Sequence, residues 1–151
     1  MLSVGGIVDY SDPAHPEHSN HLISTNGRKV ERVWHGDPPL FESTVHQLLM
    51  DWNRKPTEQC GFIEKECQDL FYVENVHQAP RMNFLMEKKA TEVTLEHIYN
   101  TLESSVLGIF HTHPNDVPWP SPRDIVGWPN PKLKWRYFVV TSNEVLEWEL
   151  V

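Results

Sequence analysis

A group of side chains able to bind a metal ion lies between residues 111 and 124. His111 and His113 are separated by Thr112, and Asp124 follows beyond a proline-rich loop. Two imidazole nitrogens and one carboxylate oxygen suit a catalytic Zn²⁺ whose fourth position is left for water. Histidines that merely alternate along an exposed strand are the alternative, but they would not explain a carboxylate placed to close the site. The sequence therefore predicts one zinc ion bound by His111, His113 and Asp124.

The elements on either side of the histidines are predicted to direct these side chains to one point. The apolar run 106–110 is typical of a buried strand. Pro114 should break that strand and so allow both rings to point the same way. Ser121 and Pro122 have the residue types of a helix N-cap and first helical position. Asp124 would then lie in the first turn of a short helix.

Two further residues are candidates for catalytic roles. A hydrolytic zinc site needs a base that takes a proton from water and passes it to the leaving group. Glu58 opens a strand-like run, 57–63, that could lie beside 106–110, whereas Asp116 is nearer in sequence but lies on a loop. Glu58 is therefore the predicted base. The Ser121 hydroxyl either caps the short helix or supports a developing oxyanion, and both roles are open.

The remaining pattern predicts a single α/β domain with a mixed sheet flanked by helices. Its 151 residues are enough for one domain and few for two. Apolar periodicity predicts helices over 41–52 and over 91–103, the second capped by Thr91. The other predicted elements are an antiparallel neighbour over 68–76, a short edge over 84–86, and a hairpin of 135–141 with 145–150.

The first 40 residues form an N-terminal extension of unknown role. Short strands are predicted over 4–8 and 30–34, with a polar loop over 9–26 between them. In that loop three histidines recur at every third position, His15, His18 and His21. A second metal site and a solvated surface loop both fit, but no carboxylate or cysteine stands at a ligand spacing. The surface loop is the preferred interpretation.

Composition narrows the possible partners and the compartment. A net charge of −8 argues against binding to nucleic acid. No apolar run approaches the roughly 20 residues that cross a bilayer, and the N-terminus does not resemble a secretory signal. Only two cysteines occur, Cys60 and Cys67, which favours a reducing compartment over a disulfide scaffold. We therefore expect a cytoplasmic protein, or one of the host cytoplasm if it is phage-encoded.

The motif residues together resemble the JAMM (MPN+, or JAB) zinc metalloprotease family over about residues 40–150. That family has an upstream glutamate, then His-Ser/Thr-His-Pro, a spacer and Ser-x-x-Asp. The matching residues here are Glu58, His111-Thr112-His113-Pro114, Ser121 and Asp124. The surroundings are similar as well, in Cys60-Gly61-Phe62-Ile63 and in Asn75, Pro80 and Phe84.

The resemblance implies a metallopeptidase domain over 41–151 with the cytidine-deaminase-like (JAB/MPN) fold. It implies one zinc held by His111, His113, Asp124 and a water, with Glu58 as general acid/base and Ser121 as oxyanion support. The expected substrate is a protein or peptide whose amide or isopeptide bond is cleaved, such as the tail of a ubiquitin-like or sulfur-carrier protein. Trp119 would pack either on such a tail or within its own loop.

The lengths of two segments indicate which type of member of that family the chain resembles most. The segments 76–91 and beyond 124, where enzymes that cleave ubiquitin chains carry insertions, are short here, which favours the compact bacterial or phage type. The alternative function is a non-catalytic scaffold or a phage tail-assembly component, although such scaffolds usually lose ligands. A zinc hydrolase acting on nucleic acid or a small molecule is disfavoured by the acidic charge.

Overall fold

A computed structural model describes residues 22–25, 27–52 and 56–151 of the chain. Its strands are β1 (Leu22–Thr25), β2 (Arg28–Val33), β3 (Cys60–Glu64), β4 (Leu70–Val73), β5 (Val106–Thr112), β6 (Arg136–Val140) and β7 (Val145–Leu150). Its helices are α1 (Glu42–Trp52), α2 (Lys88–Glu96) and α3 (Pro122–Val126), with a π-helical turn at His97–Thr101 and a 3₁₀ turn at Pro131–Leu133. No helix among the described residues is long and apolar enough to cross a membrane.

The seven described strands form one mixed sheet in the order β1-β2-β7-β6-β5-β3-β4. Strands β5 and β6 are parallel, and the other neighbours are antiparallel. Parallel neighbours need a crossover connection, which the chain between β5 and β6 provides and which contains α3. Ile125 of α3 packs in the same core cluster as Ile109 of β5. The crossover therefore lies against the face of the sheet to which Ile109 points.

Apolar side chains fill both faces of the sheet. On the face that carries α3, the core includes Phe62, Ile98, Ile109, Ile125, Tyr137 and Trp148. On the opposite face, Leu48 of α1 packs with a second cluster of Ile63, Leu107, Phe110, Phe138 and Val140. This alternation along the strands confirms the predicted α/β class, a mixed sheet flanked by helices.

Most predicted elements are present, and the second helix is the main correction. It begins at Lys88, not after Thr91, because the Glu87 carboxylate accepts hydrogen bonds from the Lys89 and Ala90 amides, at 2.9 and 2.7 Å. Thr91 instead lies inside the helix, where its hydroxyl donates to the Glu87 carbonyl at 2.8 Å. The helix continues into the wider π-helical turn, which ends at Thr101, before the predicted end at residue 103.

Two smaller predictions about strands also change. The segment 22–25, part of the predicted polar loop, is instead β1. It pairs antiparallel with β2 across a turn where Gly27 has φ +77°. Glycine adopts that conformation without steric cost. In the predicted edge 84–86 only Met86 pairs, through a single bridge to Asn75.

The predictions that concern the start of the chain have different outcomes. The strand over 4–8 and the loop with His15, His18 and His21 lie outside the described residues. The division of the chain at residue 40 stays a prediction. Residues before that boundary nevertheless belong to the sheet, because β2 pairs with β7 along four residue pairs.

A buried carboxylate closes the connection between β3 and β4. Glu64 is 3% exposed and accepts hydrogen bonds from the Glu66 amide at 2.5 Å, the Cys67 amide at 2.7 Å and the Ser104 hydroxyl. Burial alone would raise the pKa of Glu64, but these hydrogen bonds lower it below its ordinary value of 4.5. The charged form is therefore the one that stabilises the fold.

We expect Glu64→Gln to lower the free energy of unfolding by about 1–3 kcal/mol, the usual range for charge-assisted hydrogen bonds. Because the folded-state pKa is lowered, the stabilisation by Glu64 is present above about pH 4.5 and is lost as the pH falls. Urea unfolding at pH 7 and pH 4 measures both effects, with the exposed neighbour substituted in Glu66→Gln as control. Equal loss of stability in both variants at pH 7 would contradict this assignment.

Candidate metal centre

The two histidines face the same side of the sheet because of strand alternation. Strand β5 continues through Thr112, two residues beyond its predicted end, so that His111 lies within it and His113 follows it directly. Alternate residues of a strand point to the same face. The strand does end just before His113-Pro114, as predicted, but the rings point the same way because of strand alternation and not because of the break. Both rings are buried, at 0% and 3% exposure.

The backbone at the end of β5 is held by two neighbouring elements. The His113 amide donates to the Val140 carbonyl of β6 at 2.8 Å. The indole of Trp52, the last residue of α1, donates to the His113 carbonyl at 2.9 Å. The histidine pair is thus fixed by the adjacent strand and by a helix on the opposite face.

Asp124 reaches the histidines from the first turn of α3. The Ser121 hydroxyl accepts from the Asp124 amide at 3.1 Å, and the Asp124 carboxylate accepts from the Ser121 amide at 2.8 Å. This reciprocal capping box, with Pro122 at the first helical position, confirms the predicted cap. The same carboxylate oxygen, Oδ2, lies 3.1 Å from His111 Nε2 and 3.3 Å from His113 Nε2.

These three atoms have the separations expected of ligands on one small cation. The His111 and His113 Nε2 atoms are 2.9 Å apart. Ligands bound tetrahedrally at about 2.0–2.1 Å lie about 3.3 Å from one another. The His113 Nδ1–H donates to the Val117 carbonyl at 2.7 Å, which leaves the Nε2 lone pair for the cluster. The donor set therefore fits a divalent metal ion.

Glu58 joins the cluster from the segment just before the neighbouring strand β3, which begins at Cys60 and not at residue 57 as predicted. The Gln59 amide donates to the Thr112 hydroxyl, and the Thr112 amide donates to the Gln59 carbonyl, both at 2.8 Å. This register places Glu58 beside His113, and donor atoms of all four residues lie within 4.8 Å of one another. Glu58 is 4% exposed, and its Oε1 has no hydrogen-bond partner among the described residues.

Burial and neighbouring charges have opposing effects on the pKa values of these groups. Burial raises the pKa of Glu58 to about 8; His113 opposes this shift and Asp124 adds to it. Burial would also raise the pKa of Asp124, but the two imidazoles lower it overall. Burial lowers the pKa of His111. Burial is also the largest single effect on His113, but Asp124, Glu58 and the Val117 carbonyl together outweigh it and raise the pKa of that ring.

Aromatic rings enclose His111. Phe84 stacks on its imidazole with ring centroids 4.4 Å apart, and Tyr137 meets it edge-on at 5.4 Å. Trp128 in turn stacks on Tyr137 at 3.8 Å. Sequence reasoning did not identify Tyr137 or Trp128, because neither carries a local motif and both reach the site only through the fold.

Two other residues weighed from the sequence lie outside this cluster. Trp119 is half-buried and packs against the core, in line with ordinary packing of its loop. The Asp116 carboxylate accepts from the Ser142 amide and hydroxyl, both at 2.7 Å, and thereby ties the loop after His113 to the turn between β6 and β7. Its carboxylate is therefore engaged in the scaffold.

The fold and the site define an α/β protein in which the ends of the central strands carry a buried Glu/His/His/Asp group able to hold a metal ion. The family model of prokaryotic homologues of the JAB domain matches residues 39–151. The chain belongs to this family. A solved solution structure, of a protein from Desulfitobacterium hafniense, is 21% identical, with a TM-score of 0.47 over 66% of this chain and 70% of that one. No curated protein matches the chain.

We expect Asp124→Ala to abolish stoichiometric zinc binding. Substitution of residues that only orient ligands already costs about 10–100-fold in metal affinity, so the loss of a ligand should cost more. Elemental analysis of the purified protein and titration with a competing chelator measure the effect. Asp116→Ala, which removes a carboxylate from the neighbouring loop, should retain zinc. Equal zinc content in both variants would contradict the assigned donor set.

Metal affinity should rise with pH between about 6 and 8, because binding displaces protons. Near neutrality Glu58, with a pKa of about 8, is mostly protonated, and the pKa of His113 is raised as well, so both groups hold protons more tightly than free side chains do. Calorimetry in buffers of different ionisation enthalpy counts the protons released. Glu58→Gln should release fewer. An affinity independent of pH would refute this account.

Proposed function

We propose that the protein is a zinc-dependent peptidase or isopeptidase that hydrolyses an amide bond with a metal-activated water. The observation that carries this proposal is the convergence of Glu58 with the donors of His111, His113 and Asp124 in one buried cluster. A metal-binding structural site would need the donors alone. The additional carboxylate lies just before β3 and has an oxygen without a hydrogen-bond partner among the described residues, and a base so placed is what hydrolysis requires.

Each residue has a distinct part in the proposed reaction. A bound zinc ion would lower the pKa of its water and polarise the substrate carbonyl. Glu58, ionised once a cation occupies the donors, accepts the proton and returns it to the leaving amine, which its buried position beside His113 allows. The Ser121 oxygen accepts from the Asp124 amide, so its own hydrogen remains free to support an oxyanion. Capping and oxyanion support are thus compatible roles of one hydroxyl.

The proposed substrate class is the C-terminal tail of a ubiquitin-like or sulfur-carrier protein, which the family resemblance implies. The rings of Phe84 and Tyr137 beside His111 favour a slender substrate segment at the metal. Exposed apolar side chains of Val76, Met82 and Leu85 lie on the segment around Phe84 and offer contact surface for such a protein. We place this activity in the cytoplasm, in keeping with two free cysteines.

A non-catalytic scaffold, including a phage tail-assembly component, is the alternative function. The family has many hydrolases, and its prokaryotic members are often inactive. Family membership alone therefore does not decide between an enzyme and a scaffold. A scaffold would not require buried carboxylates and imidazoles to converge, since each costs free energy to remove from water. The intact cluster therefore favours the enzyme.

Glu58→Gln should reduce kcat by about 100-fold or more, the usual contribution of a positioned general base, without loss of zinc. The assay uses the zinc-loaded protein and a panel of ubiquitin-like proteins carrying a C-terminal amide-linked peptide. Glu92→Gln, an exposed substitution on α2, serves as the matched control. Hydrolysis that persists in zinc-loaded Glu58→Gln would exclude Glu58 as the base, and an inactive zinc-loaded wild type would favour the scaffold.

A further inference from the structure

The side chain of Asn75, just beyond β4, uses its full hydrogen-bonding capacity. Its Nδ2 donates to the carbonyls of Glu58, at 2.9 Å, and Asn83, at 3.0 Å. Its Oδ1 accepts from the amides of His77, at 3.1 Å, and Leu85, at 2.9 Å. A primary amide offers two donors and two acceptor positions, and all four are used here. The two carbonyls and two amides also define which way the Asn75 amide faces.

The backbone of Glu58 depends on the same segment at its other end. The Glu58 amide donates to the Pro80 carbonyl at 2.7 Å. Glu58 precedes β3, whose ladder with β4 begins only at Cys60 opposite Val73. Both hydrogen-bonding groups of the Glu58 main chain are thus engaged by residues 75–80 and not by the strand ladder.

The segment 75–86 also contacts the donor cluster. Phe84, next to Asn83, stacks on His111 at 4.4 Å. The two ends of the segment are held together, because the Val76 amide donates to the Leu85 carbonyl at 2.8 Å. The Glu87 amide donates to the Glu74 carbonyl at 2.9 Å and so attaches the segment to the end of β4. Asn75 therefore joins three parts of the molecule, which are the base, the loop that crosses the site, and the end of β4.

We propose that Asn75 is a positioning residue that holds Glu58 in line with the metal donors and couples the 75–86 segment to it. This inference rests on the proposed function for its catalytic consequence, but not for its structural one. Asn75 touches neither His111, His113 nor Asp124 among its hydrogen-bond partners, so its effect is on the base and not on metal binding. Loss of an orienting partner typically costs about 10–100-fold in activity.

A purely structural role, in which Asn75 only shapes the loop, makes a different prediction. Asn75→Asp keeps the side-chain oxygen that accepts from the His77 and Leu85 amides. It loses the NH₂ group that donates to the Glu58 and Asn83 carbonyls. A residue that only shapes the loop would lose one of its three loop contacts, that to Asn83, and would affect kcat little because the bonds from the His77 and Leu85 amides remain. A residue that holds Glu58 would not, because a carboxylate repels the Glu58 carbonyl. Asn75→Ala removes both sets of contacts.

The test compares the zinc-loaded full chain with Asn75→Asp, Asn75→Ala and the control Asn130→Ala. Asn130 is a matched control because its side chain likewise accepts a backbone amide, that of Lys132 at 3.0 Å, in another loop. We expect both Asn75 variants to lose about 10–100-fold in kcat, with zinc affinity within about twofold of wild type. Asn75→Asp, which keeps the bonds from the His77 and Leu85 amides, should also keep KM within about twofold. Asn130→Ala should retain wild-type kcat.

Amide hydrogen exchange provides a readout independent of activity. Exchange at the Glu58 amide should become at least about tenfold faster in both Asn75 variants, whereas the His113 amide, bonded to Val140, should keep its protection. Unchanged protection at Glu58 would overturn the proposal, as would wild-type kcat in Asn75→Asp or a loss of zinc affinity in step with kcat. If wild type hydrolyses nothing, the proposed function fails while the exchange measurement still decides the role of Asn75.

Discussion

Burial of charge is the constraint on which the architecture around the site depends. Glu58, His111, His113 and Asp124 are each no more than 7% exposed, and their donor atoms share a space less than 5 Å across. Ionised groups taken out of water cost several kcal/mol each unless they are paired or bind a metal. Imidazoles beside Asp124 provide one compensation. A divalent cation, whose charge faces both carboxylates, would provide a larger one.

The scaffold meets this constraint by bringing four chain segments to one end of the sheet. The parallel pairing of β5 and β6 forces the chain to cross over the face on which the histidines lie, and the crossover carries α3 with it. Its capping box leaves the Asp124 carboxylate shared between the Ser121 amide and the two rings. Trp52, from the other face, fixes the strand end through His113. Each donor is thus held by at least one contact outside the cluster.

Sequence reasoning located the donors because their signals are local. A histidine pair behind an apolar run, and Ser121-Pro122 before Asp124, are short-range patterns whose chemistry can be interpreted without a fold. The same reasoning misplaced the start of α2, since threonine is a preferred N-cap residue and glutamate is not. Glu87 takes that position here, where its amide bonds to the Glu74 carbonyl in the folded chain. It also could not find the role of Asn75, whose partners Glu58 and Leu85 lie 17 and 10 positions away and meet it only in the folded chain.

The long sequence separation within the cluster has a consequence for folding. Glu58 precedes β3, whereas Asp124 follows β5, so the donors approach one another only after the central strands and the crossover have assembled. An unfolded or partly folded chain would have no comparable site, and a cation bound by the completed cluster would stabilise the native state alone, by RT ln(1 + [M]/Kd). The metal would then act as a folding ligand for residues well beyond the cluster. Loss of the metal would therefore lower the cooperativity of unfolding from α1 to α3. Trp52 links the cluster to one face of the sheet, and the capping box links it to the other.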